Sequence, residues 1–216
     1  MENISNMLTK NVLLLGSKSP SRRSLLEQSK IPYVVIEQNS DELICKIGLT
    51  RVQQVSAIAL QKMDHAILPM SPLNHLNHYQ KTIFVLTADT LTEDSNGNIH
   101  GKPVDYDDAV AMIKMARKGM FLSTAFCLAL KVWQGNSWTT KKIETHVVSA
   151  EYVIDVPDRV IDYYLKNTIS LQCAGGFAIE DLGLQFVKSV HGSYSTIMGL
   201  PLFELRQALE DFDFFD

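Results

Sequence analysis

The first apolar run of the chain, Val12-Leu13-Leu14-Leu15-Gly16, passes directly into Ser17-Lys18-Ser19-Pro20-Ser21-Arg22-Arg23. The aliphatic stretch reads as a buried strand, and the residues after it read as a tight loop entering a helix over residues 22–29. Ser19 can act as the N-cap, and Pro20 suits the first helical position. A helix N-terminus exposes free backbone N–H groups and a partial positive charge. Serine hydroxyls, one lysine and two arginines surround that point, which is how a chain builds an anion site, above all one for phosphate. Read plainly, the same residues make a capped helix with two solvated arginines, and the loop alone does not separate the two readings.

Further along, residues 33–37 form a second short strand and 38–48 an irregular polar stretch containing Asp41-Glu42. Residues 51–68 read as a helix capped by Thr50, with Val52, Val55, Ala59, Met63 and Ala66 at helical spacing on its buried face. Two prolines and several Asn and His residues then mark a surface insertion at about 69–80. An apolar strand over 82–88 ends at Asp89. Asn96-Gly97 is a hairpin turn joining 90–93 to Ile99. Asp105 caps a helix over 106–117 whose Ala109, Met112, Ile113 and Ala116 form the inner stripe.

Two long strands come next, 121–132 and 139–153, joined at Gln134-Gly135-Asn136. Pro157 starts a helix reaching about Lys166. Ala174-Gly175-Gly176 precedes a strand pair at 177–179 and 185–190, and a last helix covers 202–209. Strands and helices alternate, but the long central strands form a hairpin, so the sheet is mixed and the class α/β. No internal repeat, low-complexity segment or linker divides the 216 residues, which read as one domain of ample core size.

Composition narrows the function. The net charge of −4 is unlike that of a nonspecific DNA or RNA binder, and a local basic loop in an acidic protein fits a small anionic ligand better. No uncharged apolar run is long enough to span a bilayer, so no membrane role is expected. The first ten residues lack an apolar signal core. Three widely spaced cysteines, Cys45, Cys127 and Cys173, indicate reduced thiols in a cytoplasmic protein.

Several side chains could carry chemistry. Asp89, at the end of an apolar strand, could point into a cleft to hold a metal or activate water; taken alone it reads as a turn-capping residue. Gly101-Lys102-Pro103 is a compact turn able to aim an ammonium at phosphate. Lys62, near the end of an amphipathic helix, reads by default as solvated. His75 and His78 lack partners at zinc spacing. Cys127 reads as buried packing, and Cys173 has no activating partner that can be named.

These features fall in one order: Ser-x-Ser-Pro-x-Arg-Arg, Asp41-Glu42, Lys62, Ala88-Asp89-Thr90, Gly101-Lys102-Pro103, Ala174-Gly175-Gly176, Gly192-Ser193 and Gly199-Leu200-Pro201. Each motif is nonspecific, but the ordered set closely resembles the Maf family, the septum formation inhibitor proteins, from about Val12 to Leu209. The resemblance implies an elongated mixed β-sheet flanked by helices with a deep central cleft, similar to inosine triphosphatases. It also implies a homodimeric nucleoside triphosphate pyrophosphatase that uses a divalent metal (Mg or Mn) to release pyrophosphate and a nucleoside monophosphate. By position, Ser17, Ser19, Arg22 and Arg23 match the phosphate loop, and Lys62 and Lys102 the lysines that contact the triphosphate. Glu42 matches an acidic position linked to metal or water. Asp89 matches the proton acceptor and, with Glu42, the metal position.

Base preference is divided. Cys173-Ala174-Gly175 with Glu180 resembles the branch that prefers 7-methyl-GTP, since a carboxylate could favour a methylated, cationic guanine. Thr90 after Asp89 resembles the dTTP/UTP branch, and Ser21 occupies a specificity position where larger residues are usual. Two other readings stay open: a noncatalytic nucleotide-binding regulator of cell division, and a phosphatase releasing orthophosphate.

Overall fold

The computed structural model describes residues 11–40, 48–71, 73–75 and 78–216. The aliphatic run becomes β1 (Leu13–Leu15), buried throughout. It feeds α1 (Pro20–Gln28), which is N-capped by Ser19 with Pro20 in the first turn. β2 (Tyr33–Val35) returns parallel to β1. α2 (Arg51–Asp64) opens on a capping box in which Thr50 and Gln53 satisfy each other's backbone N–H groups. A separate antiparallel pair, β3 (Leu73–His75) and β4 (His78–Gln80), lies within the expected insertion.

β5 (Thr82–Asp94) is one continuous strand, so the two strands expected at 82–88 and 90–93 are halves of one element. β6 (Ile99–His100), α3 (Tyr106–Ala116), β7 (Met120–Gln134) and β8 (Ser137–Ile154) come next. After them come α4 (Asp158–Lys166), β9 (Val187–His191), α5 (Tyr194–Ile197) and α6 (Leu202–Asp211).

The main sheet runs β2-β1-β5-β7-β8-β9, with β6 beside the far end of β5. β1 pairs in parallel with both β2 and β5, and every other pairing is antiparallel, so the sheet is mixed as expected. Cores form on both faces. One gathers Leu13, Leu15, Leu86 and Phe126 with Leu25 and Leu26 of α1 and Ile113 of α3. The other gathers Leu14, Val85, Leu91 and Ala125 with Val55, Ile58, Ala59 and Met63 of α2. Each large aliphatic side chain so buried contributes about 1.5–3 kcal/mol. No described helix is long and apolar enough to cross a membrane.

Three expectations need correcting. α2 ends at Asp64 rather than residue 68, because Ala66 leaves the helix to bridge Gln38 and the Ile67 N–H donates to the Glu37 carbonyl at 2.8 Å. Val52 is 42% exposed, since it lies on the first turn of α2 at the margin of the buried stripe; Gln54 is buried there instead. Residues 177–179 form no ladder. The Tyr164 hydroxyl donates to the Ala178 carbonyl at 2.8 Å and accepts from its N–H at 2.9 Å, taking the place of a strand neighbour. Residues Asp181–Phe186 are a 3-10 turn, leaving β9 as the strand in this region.

Candidate active site

The site arises from a mismatch in strand length. β1 pairs with Phe84, Val85 and Leu86 of β5 and then ends, its ladder closed by the Gly16 N–H on the Leu86 carbonyl at 2.8 Å. β6 takes up the same strand only at Thr92 and Glu93. Between them, among the described residues, β5 has a strand neighbour on the β7 side alone. Asp89 and Thr90 sit in this gap, and consecutive strand residues point to opposite faces.

Arg22 reaches the gap from α1. It is only 7% exposed, so its charge must be held by hydrogen bonds. Its Nε donates to the Gly199 carbonyl at 2.7 Å, Nη1 to Ser17 Oγ at 2.9 Å and Nη2 to Thr90 Oγ1 at 3.1 Å. Three separate segments therefore set the plane of one guanidinium. Gly199 has φ +103°, and a Cβ there would lie 3.3 Å from Thr90 Oγ1, so a side chain would crowd this contact.

Lys62 reaches the gap from α2. It is 7% exposed, contrary to the solvated position its sequence context suggests. Its Nζ lies 2.7 Å from Asp89 Oδ1. Lys62 falls on the buried stripe with Val55, Ile58 and Ala59, so the packing that seats α2 also drives this ammonium onto the carboxylate.

From the residue of α1 just before Arg22, the Ser21 hydroxyl donates to Glu180 Oε1 at 2.5 Å. Both line a cavity of about 490 Å3, together with Asp181 and the end of α4 at Lys166, Asn167 and Thr168. The Cys173 thiol lies close to this group. Burial pushes its pKa up to about 12; Glu180 adds to the rise, and Lys102 and Arg22 oppose it. Gly175, at φ +73°, donates its N–H to the Gly101 carbonyl at 2.9 Å, fastening the Lys102 turn to the Ala174–Gly176 turn.

The chain matches the Maf family, described as Maf-like protein, over residues 12–212. It belongs to that family. A nucleoside triphosphate pyrophosphatase of Prochlorococcus marinus is 32% identical, covering 92% of this chain and 96% of the relative. One from a Synechococcus species is 33% identical, covering 93% and 100%. A dTTP/UTP pyrophosphatase of Ruminiclostridium cellulolyticum is 31% identical, covering 92% and 94%.

In this Maf chain the structure brings Ser17, Arg22, Thr90, Lys62 and Asp89 to the gap in β5, and Ser21 and Glu180 to the adjoining cavity. Ser19 serves as the helix cap. Arg23 is exposed and outside the Arg22 network, because adjacent residues of a helix leave in directions about 100° apart. Lys102 is exposed on its turn, near enough to act on the Cys173 thiol. Asp41, Glu42 and Cys45 lie outside the described residues, as do the side chains of His75 and His78. Sequence reasoning missed Thr124, whose hydroxyl meets Thr90, and the cavity residues Asn167 and Asp181. The signal for Thr124 was a hydroxyl pair, Ser123-Thr124, inside an otherwise apolar strand.

Among the described residues, no three His, Cys, Asp or Glu side chains gather as a metal cage. Asp89 supplies one carboxylate at the gap. That donor set suits a hard cation such as Mg2+, which takes one or two carboxylates and draws its remaining oxygens from water and substrate phosphates.

Proposed function

We propose that the protein hydrolyses nucleoside triphosphates between the α and β phosphates, giving a nucleoside monophosphate and pyrophosphate. The observation that carries this is the pairing of Arg22 with Thr90 and of Lys62 with Asp89 on consecutive residues of one open strand edge. Two nearly buried cations and a carboxylate in one gap suit a polyanion whose cleavage develops further charge. Membership of the family and the names of its relatives support the same activity.

In this reading the planar fork of Arg22, with the α1 N-terminus and Ser17, grips phosphate oxygens, and Lys62 and Lys102 offset the remaining charge. Asp89 accepts the proton of the attacking water, whose oxygen bonds to the α-phosphorus while the bond to the bridging oxygen breaks and pyrophosphate leaves. Asp89 is also the described residue that would hold a divalent cation, which when bound would neutralise phosphate charge and polarise the P–O bonds. Glu42 is proposed to share these roles.

For the base, we favour 7-methyl-GTP. The cavity beside the gap carries two carboxylates, Glu180 and Asp181, while its one lysine, Lys166, is paired with Asp162, a balance that favours a cationic ring. Thr90, whose identity pointed to dTTP and UTP, has its hydroxyl engaged with Arg22 and Thr124 rather than presented to that cavity. The dTTP/UTP reading is kept by the activity named for relatives about 30% identical.

The test is a panel of ordinary and 7-methylated triphosphates with Mg or Mn, identifying both products. Pyrophosphate with a monophosphate is expected. Orthophosphate with a diphosphate would make the protein a phosphatase, and binding without turnover across the panel would make it a noncatalytic regulator.

A further inference from the structure

Thr124 belongs to β7 and lies directly across the ladder from Thr90. It is fully buried, and its hydroxyl donates to the Thr196 carbonyl at 2.8 Å. A carbonyl can only accept, so the single hydroxyl proton of Thr124 is used there. The 3.0 Å contact between Thr124 Oγ1 and Thr90 Oγ1 must therefore run with Thr90 as donor. The Thr90 oxygen then faces Arg22 with its lone pairs, accepting from Nη2 at 3.1 Å. The Thr196 carbonyl also accepts from the Gly199 N–H at 3.0 Å, but only the Thr124 proton can bridge the 2.8 Å contact between Thr124 Oγ1 and that oxygen, and this sets the direction of the bonds from Arg22 to Thr196.

The far end of this line returns to its start. Thr196 lies in α5, and three residues later Gly199 offers the carbonyl that accepts from Arg22 Nε at 2.7 Å. The 196–199 segment therefore bears on the arginine twice, directly at Gly199 and through two threonine hydroxyls at Thr196. A buried strand residue with no route to substrate thereby governs the orientation of the guanidinium.

We propose that Thr124 is a positioning residue for the phosphate-gripping arginine, acting through Thr90 and registering Arg22 to the loop after α5. The proposal rests on the reading of Arg22 as a phosphate ligand. Loss of the Thr124 hydroxyl deprives Thr90 of its acceptor and lets the Thr90 side chain turn, so the Arg22 fork loses its alignment. Such a misplacement affects triphosphate and pyrophosphate binding ahead of the chemical step.

Thr124→Val, which keeps the shape of the side chain, is expected to raise KM for the triphosphate and the inhibition constant of pyrophosphate about tenfold, with kcat within about threefold. Thr124→Ser keeps the donor and is expected to restore both constants to within about twofold, which separates hydroxyl loss from mere repacking. Thr90→Val alone should match Thr124→Val, and the double variant should be no worse than either, because both cut one line. Multiplying effects in the double variant, or Thr124→Val constants equal to the parent's, would overturn the relay. Arg22→Lys tells the two failures apart. If it raises both constants strongly while Thr124→Val changes neither, the relay alone is wrong. If Arg22→Lys changes neither constant, the phosphate grip is wrong and the relay falls with it.

Discussion

Asp89 and Thr90 are consecutive residues of β5, yet each receives a cation from a different face of the sheet: Lys62 from α2 on one side, Arg22 from α1 on the other. Their α-carbons are about 3.8 Å apart, so two helices distant in sequence meet at one peptide unit. At this point β1 has ended and β6 has not begun, so both pairs flank a strand edge that neither β1 nor β6 covers.

Asp89→Asn should remove the proton acceptor while preserving size. Turnover is expected to fall about 100-fold or more, with the far-ultraviolet dichroism of the parent retained. A folded variant releasing pyrophosphate at the parent rate excludes Asp89 from the chemistry.

Glu180 and Ser21 should govern the choice of base. Glu180→Gln removes the negative charge from the cavity, and the ratio of kcat/KM for 7-methyl-GTP to that for UTP is expected to fall about tenfold. Ser21→Ala keeps the charge but removes the 2.5 Å hydrogen bond that fixes the carboxylate, and should lower the same ratio less. An unchanged ratio in both variants would show that the cavity does not read the base.

The Cys173 thiol is expected to be slow to alkylate. With its pKa pushed up to about 12 by burial and by Glu180, it stays protonated at pH 8, where an ordinary cysteine near 8.5 is partly thiolate. Peptide-level mass spectrometry after iodoacetamide treatment of the native protein should find Cys173 unmodified at pH 8, and modified readily once the protein is unfolded. Rapid labelling of native Cys173 at pH 8 would contradict this environment.

Asp94 should make stability depend on acid. Burial pushes its pKa up, but hydrogen bonds from the Asn98 side chain, the Asn98 and Asn96 N–H groups and His100 outweigh this and hold it well below the usual carboxylate range. A depressed folded-state pKa contributes stability that is fully present above the unfolded value near 4 and is lost as pH falls towards the folded one. Asp94→Asn is expected to cost about 1–3 kcal/mol at pH 7, and the gap from the parent should begin to narrow as the pH falls below about 4. Urea denaturation of both proteins from pH 3 to pH 8 measures it; a gap independent of pH would contradict the assignment.

Much of the fold was legible because its signals are local. Ser19 and Pro20 start α1, Thr50 starts α2, and Asp105 starts α3, as capping chemistry requires. The apolar runs became strands, and the four residues of the α3 stripe are all buried. What failed was decided by distant partners. Ala66 left its helix for Gln38, and at residues 177–179 the Tyr164 hydroxyl holds both backbone groups of Ala178 in place of a strand neighbour.

The candidate site divides in the same way. The order of motifs named the family and pointed to Ser17, Arg22, Lys62 and Asp89, but it grouped Arg23 with Arg22, and helix position by itself gave Lys62 to solvent. Helix phase against the packed sheet separated them, burying Arg22 and Lys62 and leaving Arg23 outside. The hydroxyl pair Ser123-Thr124 in an apolar strand was the one local sign of Thr124, and it did not reveal the role, since a threonine in a strand looks the same whether its hydroxyl meets water or the hydroxyl beside an arginine. By itself the sequence determined which elements form and which charges are available. Only the tertiary structure decided which charges are desolvated and against whom, because burial and hydrogen-bond partnership across a sheet depend on register between segments far apart in the chain.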